Sequence, residues 1–243
     1  MGTDAPPPFL TAAGHPIRWR LLSELARSDL AVHELTALLG QPQNLVSYHL
    51  GKLRKAGLVT ARRSSADGRD TYYALHLDRC AAMIAGTGGA LHPALRLRTP
   101  APPPAARTRV LFLCTGNSAR SQMAEAILRR EAGEAAEVRS AGSNPKPVHP
   151  YAVAALASRG LDLSTAEPKH LDRFTGRRFD HVITLCDRVK EVCPEFGGNR
   201  RPLHWSIPDP SRDPAGQPAF ERLADELTER IGFFLHTLTE EMS

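Results

Sequence analysis

The sequence has few cysteines and no long apolar run. It contains four cysteines among 243 residues, Cys80, Cys114, Cys186 and Cys193. They are too few and too unevenly spaced for a disulfide framework, which favours reactive thiols or metal ligands. No apolar run approaches the roughly 20 residues of a membrane span, and the start, MGTDAPPPFL, lacks the charged-then-apolar pattern of a signal peptide. These absences predict a cytoplasmic protein without membrane association.

The sequence also lacks an excess of acidic residues, and its excess of basic residues lies entirely in the N-terminal part. Residues 1–92 carry 10 Lys/Arg and 7 Asp/Glu, residues 93–108 carry 3 Arg and no acid, and residues 109–243 carry 18 Lys/Arg and 19 Asp/Glu. The net charges of +3, +3 and −1 make up the +5 of the chain. A polyanionic partner is therefore expected at the N-terminal part.

The length and the proline distribution predict two domains. Residues 93–108 are rich in proline and alanine and are expected to form a semi-rigid linker between domains at 14–92 and 109–243. The proline-rich segment 1–13 is predicted to be a disordered tail. The predicted fold is α/β, with a helical N-terminal domain joined by the linker to an open parallel-sheet domain.

Apolar spacing predicts three helices in the first domain, followed by a hairpin. The first two helices are centred on Leu22 and Leu35, and the third extends from about Gln43 to Lys55. The apolar positions of the third helix are Leu45, Tyr48, Leu50 and Leu53. Two strand patterns then enclose RRSSADGRD, with a turn at Asp67-Gly68. This order is that of a winged helix-turn-helix.

With NLVSYHLGKLRKAGLV followed by the hairpin, residues 16–86 resemble the ArsR-type winged-helix repressors. The resemblance implies a homodimer, formed through this domain, on double-stranded operator DNA. It places the third helix in the major groove and the arginines of the wing on phosphates. The DNA-contacting residues expected are Gln43, Asn44, Ser47, His49, Lys52, Arg54, Arg62, Arg63 and Arg69. The alternative is that the basic helix is only a solvated surface.

The first domain departs from arsenic-responsive relatives at their thiol positions. Ala31 and His33 stand where those relatives have two cysteines. Because trivalent arsenic prefers thiolates, that inducer site is absent in its usual form. Cys80 is expected to be a small buried apolar residue, although a relocated sensor site stays open.

Strands alternating with helices predict an open parallel sheet in the second domain, with ligands beyond the C-terminal ends of the strands. The strand patterns are Val110–Leu113, Val138–Ala141 and His181–Leu185, and helices are expected from about Ser121, Pro150 and Pro218. Cys114 directly follows the first strand. It lies where such a sheet binds its ligand.

The loop after Cys114 has the composition of an oxyanion site. Gly116 and Asn117 tolerate the positive φ that lets consecutive N–H groups surround an anion. Arg120 offers a planar fork for two oxygens, and Ser121 is expected to donate a hydrogen bond to a nucleophilic Cys114 thiolate. The groups expected to bind the oxyanion belong to Thr115, Gly116, Asn117, Ser118, Ala119 and Arg120.

Residues 109–243, with CTGNSARS, TLCDRVKEVCPEF and HWSIPDP, resemble the low-molecular-weight protein tyrosine phosphatase fold and, within it, the thioredoxin-coupled arsenate reductases. The reductase resemblance implies a relay in which Cys114 attacks arsenate, Cys186 attacks Cys114, and Cys193 attacks Cys186. It implies thioredoxin as the electron donor, with no bound cofactor. Asp209 would protonate the leaving oxygen.

Some relatives hold a potassium ion near the loop. Asn117, Glu125 and Ser140 occupy matching places, while Lys169 replaces the expected aspartate. We hypothesise that the Lys169 ammonium takes the place of the cation, and no metal ligand set is predicted.

Two other functions remain compatible with the sequence. One is phosphotyrosine hydrolysis, because the fold is common to phosphatases and reductases. The other is a repressor whose phosphatase-like half senses an oxyanion or a redox state.

Overall fold

A computed structural model describes residues 5–64, 70–92, 108–192 and 202–240. The chain divides into two compact units, Met1–Ala101 and Pro102–Ser243, and each has its own apolar core. Predictions that lie outside the described residues are those for the start of the tail, the turn at Asp67-Gly68, Arg69, linker residues 93–107 and Cys193. The domain limits expected from the sequence, 14–92 and 109–243, are narrower than these two units and stay predictions.

The N-terminal unit combines helices with a small antiparallel sheet. Its helices are α1 (Pro8–Ala13), α2 (Pro16–Leu25), α3 (Val32–Leu39), α4 (Gln43–Lys55) and α5 (Leu77–Leu91). Its strands are β1 (Leu30–Ala31), β2 (Val59–Arg63) and β3 (Thr71–Leu75), in the order β1-β3-β2. Helix α3 ends at Gly40, whose φ of 62° few other residues adopt. The predicted order of helices and hairpin is present.

The tail prediction is wrong from Pro8 onward. Pro8 begins α1, where its missing N–H is not needed by the helix. Phe9 packs against the core and Ala13 is buried in it. Apolar burial thus orders a segment whose composition indicated disorder.

The C-terminal unit is built on a four-stranded parallel sheet. Its strands are β4 (Thr108–Cys114), β5 (Ala136–Gly142), β6 (His181–Thr184) and β7 (Leu203–His204). Its helices are α6 (Arg120–Ala132), α7 (Pro150–Ala157), α8 (Asp187–Val192) and α9 (Gln217–Glu240). The sheet order is β5-β4-β6-β7.

Strand β4 is central, and its residues from Val110 to Cys114 are buried. Phe112 pairs with Ser140 on one side and Ile183 on the other. The chain therefore leaves β4 toward opposite sides for its next two strands. Such a switch point leaves a crevice beyond the strand's C-terminal end, and Cys114 lies there.

Candidate active site and candidate DNA-facing helix

The loop between β4 and α6 surrounds the sulfur of Cys114. The backbone N–H of Asn117 donates to Cys114 Sγ at 3.2 Å, and Ser121 Oγ lies 2.9 Å from the same sulfur. Cys114 is only 2% exposed. Two polar groups are therefore placed to hold a thiolate in one position.

The loop's conformation depends on Asn117. This buried residue has a φ of 42°, whereas Gly116 lies outside the left-handed region. The Asn117 side chain donates to Ser121 Oγ and Ser140 Oγ, each at 2.9 Å. Its Oδ1 accepts from the backbone N–H of Lys169 at 2.7 Å. These bonds stabilise the positive φ of Asn117, which asparagine tolerates better than most other residues with a side chain.

A close approach fixes the loop against the end of β5. A Cβ at Gly142 would lie 2.6 Å from the Thr115 carbonyl oxygen and 2.8 Å from the Asn117 nitrogen. Any other residue at 142 would displace the loop backbone. The following segment also donates to the loop, since Asn144 N and Lys146 N bond the carbonyls of Thr115 and Gly116.

Arg120 and Asp209 form an ion pair beside the loop. Arg120 is 6% exposed, donates to the Ile207 carbonyl at 3.0 Å and pairs with Asp209 at 3.0 Å. Burial opposes ionisation of Asp209, but the Arg120 charge and hydrogen bonds from Ser211 outweigh it. The pKa of Asp209 is consequently below its ordinary value. The structure thus brings Asp209 to the predicted loop.

Cys186 lies next to the same loop. It follows β6 at the start of α8, is 2% exposed, and has its sulfur 3.3 Å from Thr115 Oγ1. The three described cysteines are free thiols. Cys80 belongs to the other unit, where burial raises the pKa of its thiol to about 11.

A buried polar cluster next to Cys186 was not predicted. Asp187 is fully buried and accepts from Ser206 Oγ at 2.7 Å, and its Oδ1 lies 3.1 Å from His204 Nε2. Thr184 Oγ1 lies 2.8 Å from His204 Nδ1. The only sequence signal is an acid directly after an apolar strand and its cysteine. The cluster joins the start of α8 to the segment that leads to Asp209.

Lys169 lies in the polar network behind the loop. Its Nζ is 3.4 Å from Glu125 Oε2, which also accepts from Ser140 Oγ at 2.5 Å. Arg129 pairs with the other oxygen of Glu125. Two cationic side chains therefore already face this carboxylate. The residues present do not fit a potassium site.

Helix α4 exposes and buries partly different residues from those that the apolar spacing predicted. Its buried residues are Val46, His49, Leu50 and Leu53. His49, predicted to contact DNA, is 5% exposed, and its ring centroid lies 4.4 Å from that of His15. Burial, with further contributions from His15 and Arg18, lowers the pKa of His49. Tyr48, predicted to be apolar and inward, is 58% exposed, so His49 is removed from the predicted DNA-contacting set.

The other predicted DNA-contacting residues differ in how exposed their side chains are. Arg63 on β2 is exposed, Arg62 is partly buried, and Arg69 lies outside the described residues. The exposed members on α4 are Gln43, Asn44, Ser47, Lys52 and Arg54. Helix and wing thus carry polar or basic side chains at the surface.

Metal and membrane features are absent within the described ranges. No group of three or more His, Cys, Asp or Glu residues there is arranged to hold a metal ion. No helix in that part of the chain is long and apolar enough to cross a membrane.

An open parallel sheet with a cysteine and an arginine on an oxyanion-type loop defines a cysteine-dependent α/β enzyme fold. Residues 109–243 match the model of the family described as low molecular weight phosphotyrosine protein phosphatase, and the chain belongs to this family. Residues 15–70 match the MarR family model, so the N-terminal unit contains a MarR-family helix-turn-helix domain. The predicted class of DNA-binding fold is confirmed, with MarR as the family matched.

Curated relatives of the C-terminal unit are named arsenate reductase. One from Halalkalibacterium halodurans is 37% identical over 132 residues, covering 53% of this chain and 95% of the relative. One from Brevibacillus brevis is 39% identical over 130 residues, covering 53% and 94%. A solved structure titled "An arsenate reductase in oxidized state" is 27% identical with a TM-score of 0.49, covering 54% of this chain and 98% of its own.

Proposed function

We propose that the C-terminal unit reduces arsenate to arsenite through a three-cysteine relay regenerated by thioredoxin. The observation that carries the proposal is the position of Cys186, whose sulfur lies 3.3 Å from the hydroxyl of Thr115 in the Cys114 loop. A hydrolase needs one nucleophile at such a loop, whereas a reductase needs a second thiol within reach of the first. The relatives named arsenate reductase support the same choice.

The relay conserves atoms and electrons at each step. The Cys114 thiolate forms a bond to arsenic, and one arsenate oxygen breaks its bond to arsenic, takes a proton from Asp209 and leaves as water. The Cys186 thiolate attacks Cys114 Sγ, and the electrons of the arsenic–sulfur bond remain on arsenic as arsenite leaves. Cys193 attacks Cys186 and releases Cys114. The resulting Cys186–Cys193 disulfide is reduced by thioredoxin, which supplies both electrons.

Asp209 is the proposed acid of the first step, and Arg120 regulates its proton affinity. Without an anion, Arg120 pairs with Asp209 and lowers its pKa. An oxyanion that occupies the Arg120 fork competes for that charge and brings additional negative charge close to Asp209. Both effects raise the pKa of Asp209 toward the range in which it donates a proton.

A coupled assay with thioredoxin, its reductase and nicotinamide cofactor tests the relay. Cys114→Ser, Cys186→Ser and Cys193→Ser are each expected to abolish arsenite formation. Cys80→Ser, in the other unit, is the matched control and should behave like the wild type. Full activity in Cys193→Ser would exclude the relay as drawn.

Phosphotyrosine hydrolysis is the second candidate, because the family name and the pairing of Arg120 with Asp209 fit it. Against it, Ser211 and Arg212 follow Asp209-Pro210 and offer no aromatic ring to a phenyl ester. A phosphatase would hydrolyse an aryl phosphate at wild-type rates in Cys186→Ser and Cys193→Ser and would release no arsenite.

The N-terminal unit is proposed to bind operator DNA as a homodimer. Support comes from the MarR-family match and from exposed polar or basic side chains on α4 and β2. A homodimer is proposed because two copies of α4 are needed to contact two half-sites of operator DNA. Sedimentation of the full chain tests this, and a monomer at concentrations that saturate DNA would contradict it. A sensor role of the second unit would appear as DNA affinity that changes with arsenate or thiol oxidation.

A further inference from the structure

A single imidazole contacts the chain on both sides of Cys186. It belongs to His204, which ends β7 and is almost fully buried. Its Nδ1 lies 2.8 Å from Thr184 Oγ1 and 3.2 Å from the Thr184 carbonyl oxygen. Its Nε2 lies 3.1 Å from Asp187 Oδ1. Thr184 precedes the cysteine by two positions and Asp187 follows it directly, so the ring spans the segment that carries the thiol.

Cys186 itself lies between two regular elements. Strand β6 ends at Thr184, where its pairing with β4 also ends, and α8 begins at Asp187. The Cys186 carbonyl accepts a hydrogen bond from the Lys190 N–H at 3.2 Å, which connects the cysteine to α8. The position of the thiol therefore depends on how the first residue of α8 is held against the end of β6. His204 makes that connection.

Stability alone explains this polar cluster poorly. Leu185 and Val189, on either side of Asp187 in the sequence, belong to the apolar core. A buried carboxylate and imidazole lose their hydration, and such a pair is often no more stabilising than apolar side chains of similar volume. Hydrogen bonds do, however, fix distance and direction, which apolar contacts do not. Ser206 Oγ adds a third such bond by donating to Asp187 at 2.7 Å.

We propose that His204 is a positioning residue for Cys186, holding the second thiol where it can attack Cys114. The inference rests on the proposed relay and assigns a residue to its second step. Attack of one sulfur on another requires a close and aligned approach, and a displacement of about 1 Å can slow a reaction roughly 100-fold. Binding of the oxyanion by the Arg120 loop does not require Cys186. His204 should therefore affect the second step and leave oxyanion binding unchanged.

The test compares two kinetic quantities in the full chain, measured in the coupled assay at saturating thioredoxin. Inorganic phosphate is tetrahedral and anionic like arsenate, so its inhibition constant reports the loop around Cys114 alone. His204→Leu should lower kcat for arsenate roughly tenfold and leave the phosphate inhibition constant within about twofold of the wild-type value. A general loosening of the site would change both quantities together.

His181→Leu is the matched control. His181 is also buried and begins β6, at the opposite end of the strand from Thr184, with its ring 5.1 Å from that of Phe234. This variant should keep wild-type values of both quantities. His204→Gln should recover part of the kcat that His204→Leu loses, because its amide can still donate to Asp187.

Ser206→Ala provides a milder variant, which decides the question where His204→Leu does not fold. It removes one hydrogen bond to Asp187 and should lower kcat by a smaller factor, again without a change in phosphate inhibition. Wild-type kcat in the folded variants, no recovery in His204→Gln, or a parallel weakening of phosphate inhibition would overturn the inference and leave the relay intact. A wild type that forms no arsenite would overturn the relay itself, and the inference with it.

Discussion

Asp209 holds a charge whose effect on stability depends on pH. Its pairing with Arg120 lowers its pKa in the folded chain, so folding favours the ionised form. This stabilisation is present above the ordinary aspartate pKa of about 3.9 and is lost as the pH falls through the lower, folded value.

We expect Asp209→Asn to unfold more easily than the wild type at about pH 7. Because the Asp209 side chain is 35% exposed, the difference should be about 1 kcal/mol or less. Urea unfolding between about pH 7 and acidic pH measures the difference, and the two proteins should converge as the pH falls through the lowered pKa of Asp209 in the folded chain. A difference that is unchanged at low pH would show that the ionised carboxylate is not its source.

Lys169 provides a second prediction at the scale of one residue. Its ammonium faces Glu125, whose side chain is 9% exposed and connects through Ser140 to Asn117. Lys169→Met should reduce turnover by roughly tenfold, because the buried Glu125 carboxylate loses one of the two cationic groups that face it. Added potassium should partly restore this variant and leave the wild type unchanged.

Lys55→Met, in the other unit, removes the same charge without touching Glu125 and serves as the control for this experiment. A wild type whose turnover rises sharply with potassium would contradict the idea that an ammonium replaces the cation. So would a Lys169→Met variant that turns over normally without potassium.

Among the elements, α8 depends on the buried pair at its first residue. Asp187 and His204 lie 3.1 Å apart, with side chains 0% and 2% exposed. Asp187→Asn removes the charge from a buried pair and should lower the free energy of unfolding by about 3 kcal/mol. Trp205 fluorescence during urea unfolding reports this in a Trp19→Phe background.

The surface pair His170–Asp172 offers a matched control for that measurement, because its side chains are 46% and 75% exposed. Asp172→Asn should change the free energy of unfolding by less than about 1 kcal/mol. Equal effects of the two substitutions would mean that the buried pair contributes no more than a solvated one.

Helix α4 illustrates which features the sequence makes predictable. Its limits, Gln43 and Lys55, follow from apolar spacing and match the structure. Which of Tyr48 and His49 is buried does not follow from the pattern, because both rings are amphipathic and the buried His49 packs against His15, which lies outside the helix. A local pattern therefore locates a helix better than it orients every side chain.

The candidate active site divides in the same way. Residues Cys114 to Ser121 are consecutive and lead from the end of β4 into the start of α6, so spacing and residue type were sufficient to predict that they meet. The contact between Thr115 and Cys186 crosses 71 positions of the chain and depends on β4 pairing with β6. Helix α5 was missed because its sequence contains Gly86, Gly88 and Gly89, and glycine disfavours a helix interior.

In the whole molecule, the proposed activities belong to units with separate cores. Leu50 is buried in one core and Phe112 in the other. Cys114→Ser should therefore abolish arsenate turnover and leave affinity for a duplex enriched by the wild type from a randomised pool within about twofold of the wild-type value. Lys52→Gln should do the reverse, because it removes a basic side chain that the DNA-binding proposal places on phosphate, and Lys52 belongs to the unit that does not contain Cys114.

Fluorescence anisotropy with labelled duplex and the coupled reductase assay, run on both variants, measure the two outputs side by side. If Cys114→Ser changes DNA affinity, or arsenate shifts it in the wild type, the units are energetically coupled. Oxyanion chemistry would then regulate DNA binding, as a sensor requires, because a ligand shifts a second binding equilibrium only through a difference in affinity between two states. Unchanged affinity in both cases would leave a reductase and a DNA-binding domain that share a chain and act independently.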